Sequence, residues 1–242
     1  MNMVEIDGSM GEGGGQILRY SLSLSALTLK PVKIYNIRAK RDNPGLRPQH
    51  LTAVKALARV TNAVVKGDSV GSMELYFEPR VRRPGNYRFD VGTAGSVSLV
   101  IQAILPALLF SNGYTRVALT GGTDVAWRRP IDYMRFVFQH NLSLLGVKID
   151  IKLNKRGHYP RGGGHVVLEV YPLNKPLESI NIVESNGVKY IRGLSHAVKL
   201  PEHVAERQAT SAAKYIREVL GIEPEIDIES YKPGEDPHLG PG

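Results

Sequence analysis

The sequence predicts an α/β (α+β) fold in which β-α-β-α-β-β units are repeated by pseudo-symmetry, with a small β-α-β insert domain after them. Three observations predict it: an internal repeat, prolines that open two helix-like segments, and a change of pattern after Pro172. The length of 242 residues allows one large domain or two modest ones, and an apolar share of 42% is enough for a core.

The internal repeat has an offset of 83 residues. Asp7 falls on Asp90 after a short strand-like run, and Ile34 falls on Val117 inside the next one. Beyond the second helices the offset grows to 93, and both hairpins show the period-2 alternation of half-buried strands. Each unit is therefore expected to run strand, glycine turn, helix, strand, helix, hairpin.

The helices of each unit are predicted from length and from proline. Residues 14–27 also alternate like a strand, but their length and their alignment with residues 97–110 favour a helix. The second helices, residues 48–61 and 130–145, both begin with proline, which the first turn of a helix tolerates.

The remainder of the chain does not align with the repeats. It predicts a strand at residues 188–192, a helix at 201–220 that ends before Gly221, and a strand at 225–229. The predicted domains are a first repeat unit (1–85), a second repeat unit (86–177) and the insert domain (178–242). The turn at residues 236–242 should lead into a further strand, so we expect the insert domain to be incomplete here.

Composition and charge exclude several classes of protein. Without cysteine, the chain has no disulfides, thiolate metal sites or cysteine nucleophiles. No run approaches the ~18 uncharged apolar residues of a membrane span, and there is no basic-then-apolar leader, so we expect a cytoplasmic protein with no membrane partner. The net charge is +8, and because residues 221–242 carry −5, residues 1–220 carry +13. This favours a polyanionic partner, with a merely solvated basic surface as the alternative.

Two loops that open helices hold the first candidate residues. The glycine turn at residues 8–16 could present backbone N–H groups to an anion, but Glu12 would repel a phosphate unless a Mg²⁺-type ion lay between them. The second loop, residues 38–50, holds four cations against Asp42, with Gln49 and His50 at the helix start, and arginines beside a helix N-terminus suit a terminal phosphate. A plain glycine turn and a solvated loop are the alternatives. His50 could be a nucleophile, a general base or a structural hydrogen-bond partner.

Three further segments carry polar groups that could meet a nucleotide. Gln102 is a polar side chain on an otherwise apolar helix, so its amide needs a partner in the core or in a ligand. A base could stack on Trp127 or Tyr133 beside two arginines, although buried aromatic residues are common. The basic glycine hairpin at residues 156–164 could be only a turn.

Six signatures, in order along the whole chain, resemble the RNA 3′-terminal phosphate cyclase family. They are residues 7–19, 44–51, 92–96, 121–124, 158–164 and 201–207. The resemblance implies a ligase-class enzyme of RNA processing that uses ATP to convert an RNA 3′-terminal phosphate into a 2′,3′-cyclic phosphodiester. AMP passes through an enzyme histidine to the RNA phosphate. The implied fold has three repeats, with the insert domain between the second and the third.

The resemblance also assigns roles to residues. Glu12 is implied as the ligand of a divalent metal (Mg²⁺ or Mn²⁺), and Gln102 as an ATP contact. Pro130 and Tyr133 resemble positions that line the adenine pocket. The region that holds the RNA terminal phosphate corresponds to Arg38, Arg41, Gln49 and His50. Cations and a metal there would suppress the repulsion between two phosphates.

The sequence departs from the family pattern at the nucleophile. In the family the adenylylated histidine lies in the third repeat, and none of the seven histidines here matches it. We therefore expect that histidine beyond Gly242, in a natural chain that continues, and we expect the 242 residues alone to be inactive as a cyclase. The sequence leaves open whether the protein forms a homo-oligomer.

Two other functions are compatible with parts of this pattern. A non-catalytic cyclase-like protein that binds ribosomal RNA during ribosome assembly would share the fold and the basic surface without the ATP chemistry. The presence of Glu12, Arg38, Arg41 and Gln102 argues against it, and nucleotide binding separates the two. An enolpyruvyl-transferase-like enzyme would share the repeated architecture but would need a small anionic substrate.

Overall fold

The computed structural model describes residues 3–184 and 187–231. Within that part the chain forms two four-stranded sheets, one two-stranded sheet and five α-helices, the mixed α/β (α+β) fold that the sequence predicts. None of the described helices is long and apolar enough to cross a membrane. The predicted turn at residues 236–242 lies outside the described residues, and the predicted domain boundaries stay predictions.

The first unit has strand order β1-β2-β4-β3, with β1 parallel to β2 and the other neighbours antiparallel. Its elements are β1 (Val4–Asp7), α1 (Gly15–Thr28), β2 (Val32–Tyr35), α2 (Pro48–Thr61), β3 (Val64–Lys66) and β4 (Leu75–Glu78).

The second unit repeats this topology, with strand order β5-β6-β8-β7. Its elements are β5 (Gly85–Asp90), α3 (Val97–Leu109), β6 (Thr115–Gly121), α4 (Gln139–Ser143), β7 (Ile149–Lys155) and β8 (Gly164–Val170). The repeat extends to single hydrogen bonds. The Asp7 carboxylate accepts a hydrogen bond from the N–H of Ser9, and the Asp90 carboxylate accepts one from the N–H of Gly92. The donor and the acceptor of the second bond each lie 83 residues after those of the first.

One continuous core joins the two units, because α1, α2 and α3 pack against each other and against the sheets. The sequence of α1 alternates like that of a strand because serines lie on the face of the helix that packs against the core. Ser23, for example, is 5% exposed and its hydroxyl donates to the carbonyl of Ala103 on α3 at 2.8 Å. A small polar side chain that is hydrogen-bonded to a neighbouring helix allows the two helices to pack closely. The segment is helical as α1, so the helix prediction for it is confirmed.

The structure corrects two predicted elements. The helix predicted at residues 130–145 contains a π-helical segment, Tyr133–Phe138, ahead of α4. The sequence does not predict it, because a hydrophobic pattern with a period of 3.6 residues does not reveal a wider π turn. The strand predicted at residues 188–192 instead begins at its last residue, as β9 (Arg192–Val198), because pairing with β10 (Glu225–Tyr231) starts at Arg192 opposite Glu225. Between them α5 (His203–Leu220) ends at Gly221, whose φ of 65° suits glycine.

Candidate functional site

A cleft of about 750 Å³ opens where the N-termini of α1 and α2 face the segment that follows β6. Five arginines and one glutamate line it. The lining includes seven of the eight candidate residues: Glu12, Arg38, Arg41, Gln49, His50, Pro130 and Tyr133. The cleft therefore joins residues from both units in one strongly cationic site.

His50 lies in the first turn of α2 and is 3% exposed. Its Nδ1 accepts the backbone N–H of Arg47 at 3.2 Å, which assigns the ring proton of the neutral imidazole to Nε2. Burial, followed by the charges of Arg38 and Arg19, lowers the pKa of His50 to about 3. The imidazole is therefore neutral at neutral pH, and it offers the site an N–H donor rather than a charge.

The His50 ring packs directly on the first residue of α1. A Cβ placed on Gly15 would lie 2.2 Å from His50 Nε2, a distance that no side chain tolerates. Glycine at this position therefore lets the two helix N-termini approach closely enough to share one anion-binding region.

Arg38 is positioned by its own loop. Its backbone φ is 54°, an uncommon conformation for a non-glycine residue, and its guanidinium donates to the carbonyls of Asn43 and Gly45. Burial, followed by the charges of Arg47 and Arg41, lowers the pKa of Arg38, although an arginine remains charged at neutral pH. Mutually repelling cations of this kind are stabilised by a bound anion.

Glu12 lies in the glycine turn between β1 and α1, and its side chain is 94% exposed. Its nearest ionic partner is Arg41, with Oε2 3.6 Å from Nη2. The flanking Gly11 and Gly13 have φ of 53° and 57°, so the turn requires glycine on both sides of the carboxylate. Because Mg²⁺ keeps several waters and binds through one or two carboxylates plus substrate phosphates, a single exposed carboxylate beside the cleft fits such an ion.

The far wall of the cleft combines aromatic rings with arginines. The Trp127 side chain is exposed, the residue has a φ of 62°, and its carbonyl accepts from the Arg128 guanidinium at 2.9 Å. The Arg129 guanidinium lies 5.8 Å from the centre of the Tyr133 ring. Tyr133 also opens the π-helical segment, and π turns recur at functional sites. This wall offers a stacking surface for a base beside cations.

Comparison with known proteins identifies the chain's relatives. The family profile described as RNA 3′-terminal phosphate cyclase matches residues 10–225. The chain belongs to that family. The RNA 3′-terminal phosphate cyclases of Staphylothermus marinus and Desulfurococcus amylolyticus are 71% and 56% identical to it over 242 residues. Each comparison covers 100% of this chain and 68% of the relative.

Among solved structures, the enolpyruvyl transferase NikO from Streptomyces tendae aligns with 88% of this chain and 38% of its own, with 15% identity and a TM-score of 0.34. Membership of the cyclase family supports RNA 3′-terminal phosphate cyclase activity in general, with RNA as the substrate.

The structure places two residues differently from the sequence reasoning. Gln102 does not line the cleft within the described residues, and lies one turn of α3 beyond Leu99, which does. Arg19 lines the cleft but was not among the candidates. Burial, followed by the charges of Arg128 and Arg129, lowers its pKa. Arg19 is four residues after Gly15, so both lie on the same face of α1, next to the glycine turn. This spacing is the sequence signal that could have identified Arg19.

Proposed function

We propose that this chain takes part in the ATP-dependent conversion of an RNA 3′-terminal phosphate into a 2′,3′-cyclic phosphodiester, with AMP carried first by the enzyme and then by the RNA. The observation that carries the proposal is the cleft itself, in which five arginines and Glu12 surround a neutral, buried His50. Family membership supports the reaction, and the cleft offers a place to bring two phosphoryl groups together.

The chemical problem is the mutual repulsion of the ATP phosphates and the RNA terminal phosphate. Arg38 and Arg41 would hold the terminal phosphate, with Gln49 and the Nε2–H of His50 as uncharged donors. The positive ends of the α1 and α2 dipoles add to this field. A Mg²⁺ or Mn²⁺ ion bound by Glu12 would neutralise further phosphate charge.

The adenine base would lie against the far wall of the cleft. Tyr133 and Pro130 offer an apolar surface there, and Trp127 extends it toward solvent. Gln102 lies one turn along α3 from the lining residue Leu99 and does not itself line the cleft. We therefore assign the base to Pro130 and Tyr133 first, and Gln102 second.

ATP binding tests the metal assignment. Isothermal titration should show that Glu12→Ala weakens ATP binding about tenfold, or 1.4 kcal/mol, when Mg²⁺ is present. Without Mg²⁺ the same change should not weaken binding, because the carboxylate then only repels the phosphates. Glu74→Ala is the matched control, because Glu74 is an exposed glutamate outside the cleft. Equal losses with and without Mg²⁺ would contradict the role of Glu12. A complete lack of ATP binding would favour the non-catalytic RNA-binding function.

Intact mass spectrometry tests where the nucleophile lies. None of the seven histidines matches the position that the family adenylylates, so we expect the 242-residue chain to bind ATP and Mg²⁺ without gaining AMP. A mass increase of one AMP would contradict this and would place the nucleophile among the chain's own histidines, His50 first, since among the described residues it is the histidine that lines the cleft.

A further inference from the structure

A second group of ligand-forming side chains lies away from the cleft. Asp124 follows β6, His158 belongs to the hairpin between β7 and β8, and His196 lies on β9. One nitrogen of each imidazole and one carboxylate oxygen of Asp124 all lie within 4.8 Å of one another. None of the three residues lines the cleft, so the proposed function leaves this group unexplained.

The two imidazoles have the spacing of neighbouring metal ligands. His158 Nε2 and His196 Nε2 are 3.4 Å apart, and their ring centres are separated by 5.6 Å. Two nitrogens bound tetrahedrally to Zn²⁺ at ~2.0–2.1 Å would be about 3.3 Å apart. The same distance is compatible with a direct hydrogen bond between the two rings, but that bond would involve only the N–H of one ring and the nitrogen lone pair of the other.

The carboxylate is held in place with one oxygen left over. Oδ2 of Asp124 accepts from the Thr123 hydroxyl at 2.7 Å and from the Arg156 guanidinium at 3.2 Å. Oδ1 is buried and, among the described residues, has no hydrogen-bond partner. A buried carboxylate oxygen without a partner is uncommon in native proteins, and an unseen ion is one explanation for it.

The local charge also suits a divalent cation. Arg156 is 2% exposed and pairs with three carboxylates, those of Asp124, Asp132 and Glu229, at 2.8–3.2 Å. Three acids against one guanidinium leave a local charge of −2. Burial is the main cause that lowers the pKa of both His158 and His196, which keeps the imidazoles in the neutral form that binds metals.

We infer that Asp124, His158 and His196 bind one divalent transition-metal ion of the Zn²⁺ class, with water at the fourth position. Imidazole and carboxylate ligands in a set of three suit Zn²⁺ better than Mg²⁺ or Ca²⁺, which prefer oxygen ligands. Because His196 lies on β9 and the other two ligands belong to the second unit, the ion would tie the β9-α5-β10 segment to that unit. Its binding would therefore stabilise the folded chain.

Metal titration of the purified, chelator-treated protein tests this inference. Equilibrium dialysis against Zn²⁺ should give one tightly held ion per chain, and Zn²⁺ should raise the melting temperature. His158→Gln and His196→Gln should each weaken Zn²⁺ binding by more than tenfold, since even the loss of an outer partner of a metal ligand costs 10–100-fold. The matched control, His203→Gln, removes an exposed histidine of α5 and should leave the binding unchanged.

Two results would overturn the inference: no stoichiometric Zn²⁺ binding by the unchanged protein, or equal binding by the three variants and the parent. X-ray absorption of the Zn²⁺-loaded parent protein does not depend on any variant folding. It should show two imidazole ligands, and a spectrum with none or one would also reject the site. None of these measurements depends on ATP, RNA or Glu12, so they stand apart from the test of the proposed function.

Discussion

At the scale of single residues, Gly15 and His50 fix the floor of the cleft. The imidazole fills the space that a Cβ on Gly15 would need, so the cleft shape depends on the lack of a side chain there. Burial, followed by the neighbouring arginines, lowers the pKa of the ring and keeps it neutral, and the Arg47 N–H orients it. Position and protonation state of His50 therefore have separate physical causes, and each can be tested separately.

Gly15→Ala should force the His50 ring to move and distort the start of α1. We expect a loss of about 1–3 kcal/mol in the free energy of unfolding, typical of overpacking, together with weaker binding of RNA that ends in a 3′-phosphate. Denaturant unfolding and RNA titration measure the two effects. Gly193→Ala is the control, because its Cβ would meet Ile226 at an ordinary 3.6 Å. A Gly15→Ala variant with unchanged stability and affinity would contradict the packing argument.

His50→Gln tests the protonation state through the pH dependence of stability. The pKa is about 3 in the folded protein and near 6.5 when unfolded, so between these values the unfolded chain binds the extra proton. His50 therefore contributes stability that is present above pH ~6.5 and lost as the pH falls toward ~3. The parent's unfolding free energy should rise with pH more steeply than the variant's, by up to about 1.36 kcal/mol per pH unit. Parallel curves for the two proteins would disprove the assignment.

At the scale of elements, Arg156 connects the β7–β8 hairpin to the π-helical region and to β10. Its pairs with Asp132 and Glu229 are 2.8 Å and 2.9 Å long. Burial alone would lower its pKa, but Asp132, Asp124 and Glu229 outweigh burial and raise it. The β7–β8 hairpin, which from its sequence could be only a turn, thus carries Arg156, the cation at the centre of a buried network of ion pairs.

Arg156→Met should leave three carboxylates without their shared cation. We expect a loss of about 3–5 kcal/mol in the free energy of unfolding, as for one partner removed from a buried ion pair. Arg116→Met, which removes an exposed arginine 3.9 Å from Glu169, should change it by no more than about 1 kcal/mol. Both values come from denaturant unfolding in a chelating buffer, and similar losses in the two variants would argue against the buried network.

The element level also shows how far sequence reasoning reaches. The order of strands and helices along both units followed from the 83-residue repeat, because matching patterns of strand and helix fold alike. The π-helical segment and the start of β9 could not be predicted, since each depends on which backbone groups find hydrogen-bond partners. Seven of the eight candidate residues line one cleft, whereas Arg19, the last residue of the first signature, was missed because helix packing brings it to the cleft one turn into α1.

At the scale of the whole molecule, the protein carries a large positive charge and a strongly cationic cleft. It should therefore bind RNA largely through contacts with the RNA phosphate backbone. Residues 1–220 carry a net charge of +13, and five arginines line the cleft. The affinity for single-stranded RNA should therefore fall linearly on a log–log plot against salt concentration, with a slope of about −0.7 for each phosphate that the protein neutralises.

Arg41→Ala should make that slope shallower by about 0.7, because it removes one phosphate contact. Fluorescence anisotropy of a labelled RNA ending in a 3′-phosphate, recorded over a series of salt concentrations, gives the slope directly. Arg116→Ala, outside the cleft, is the control. If the control changes the slope as much as Arg41→Ala does, RNA binds over the general surface and not through the cleft.

The role of the cleft is tested most directly by comparing one RNA oligonucleotide ending in a 3′-phosphate with the same oligonucleotide ending in a 3′-hydroxyl, at a single salt concentration. We predict tighter binding of the phosphate end by the parent protein, and loss of that preference in Arg38→Ala and Arg41→Ala. Equal affinity of the parent for the two ends would contradict the assignment of the cleft to the RNA terminal phosphate.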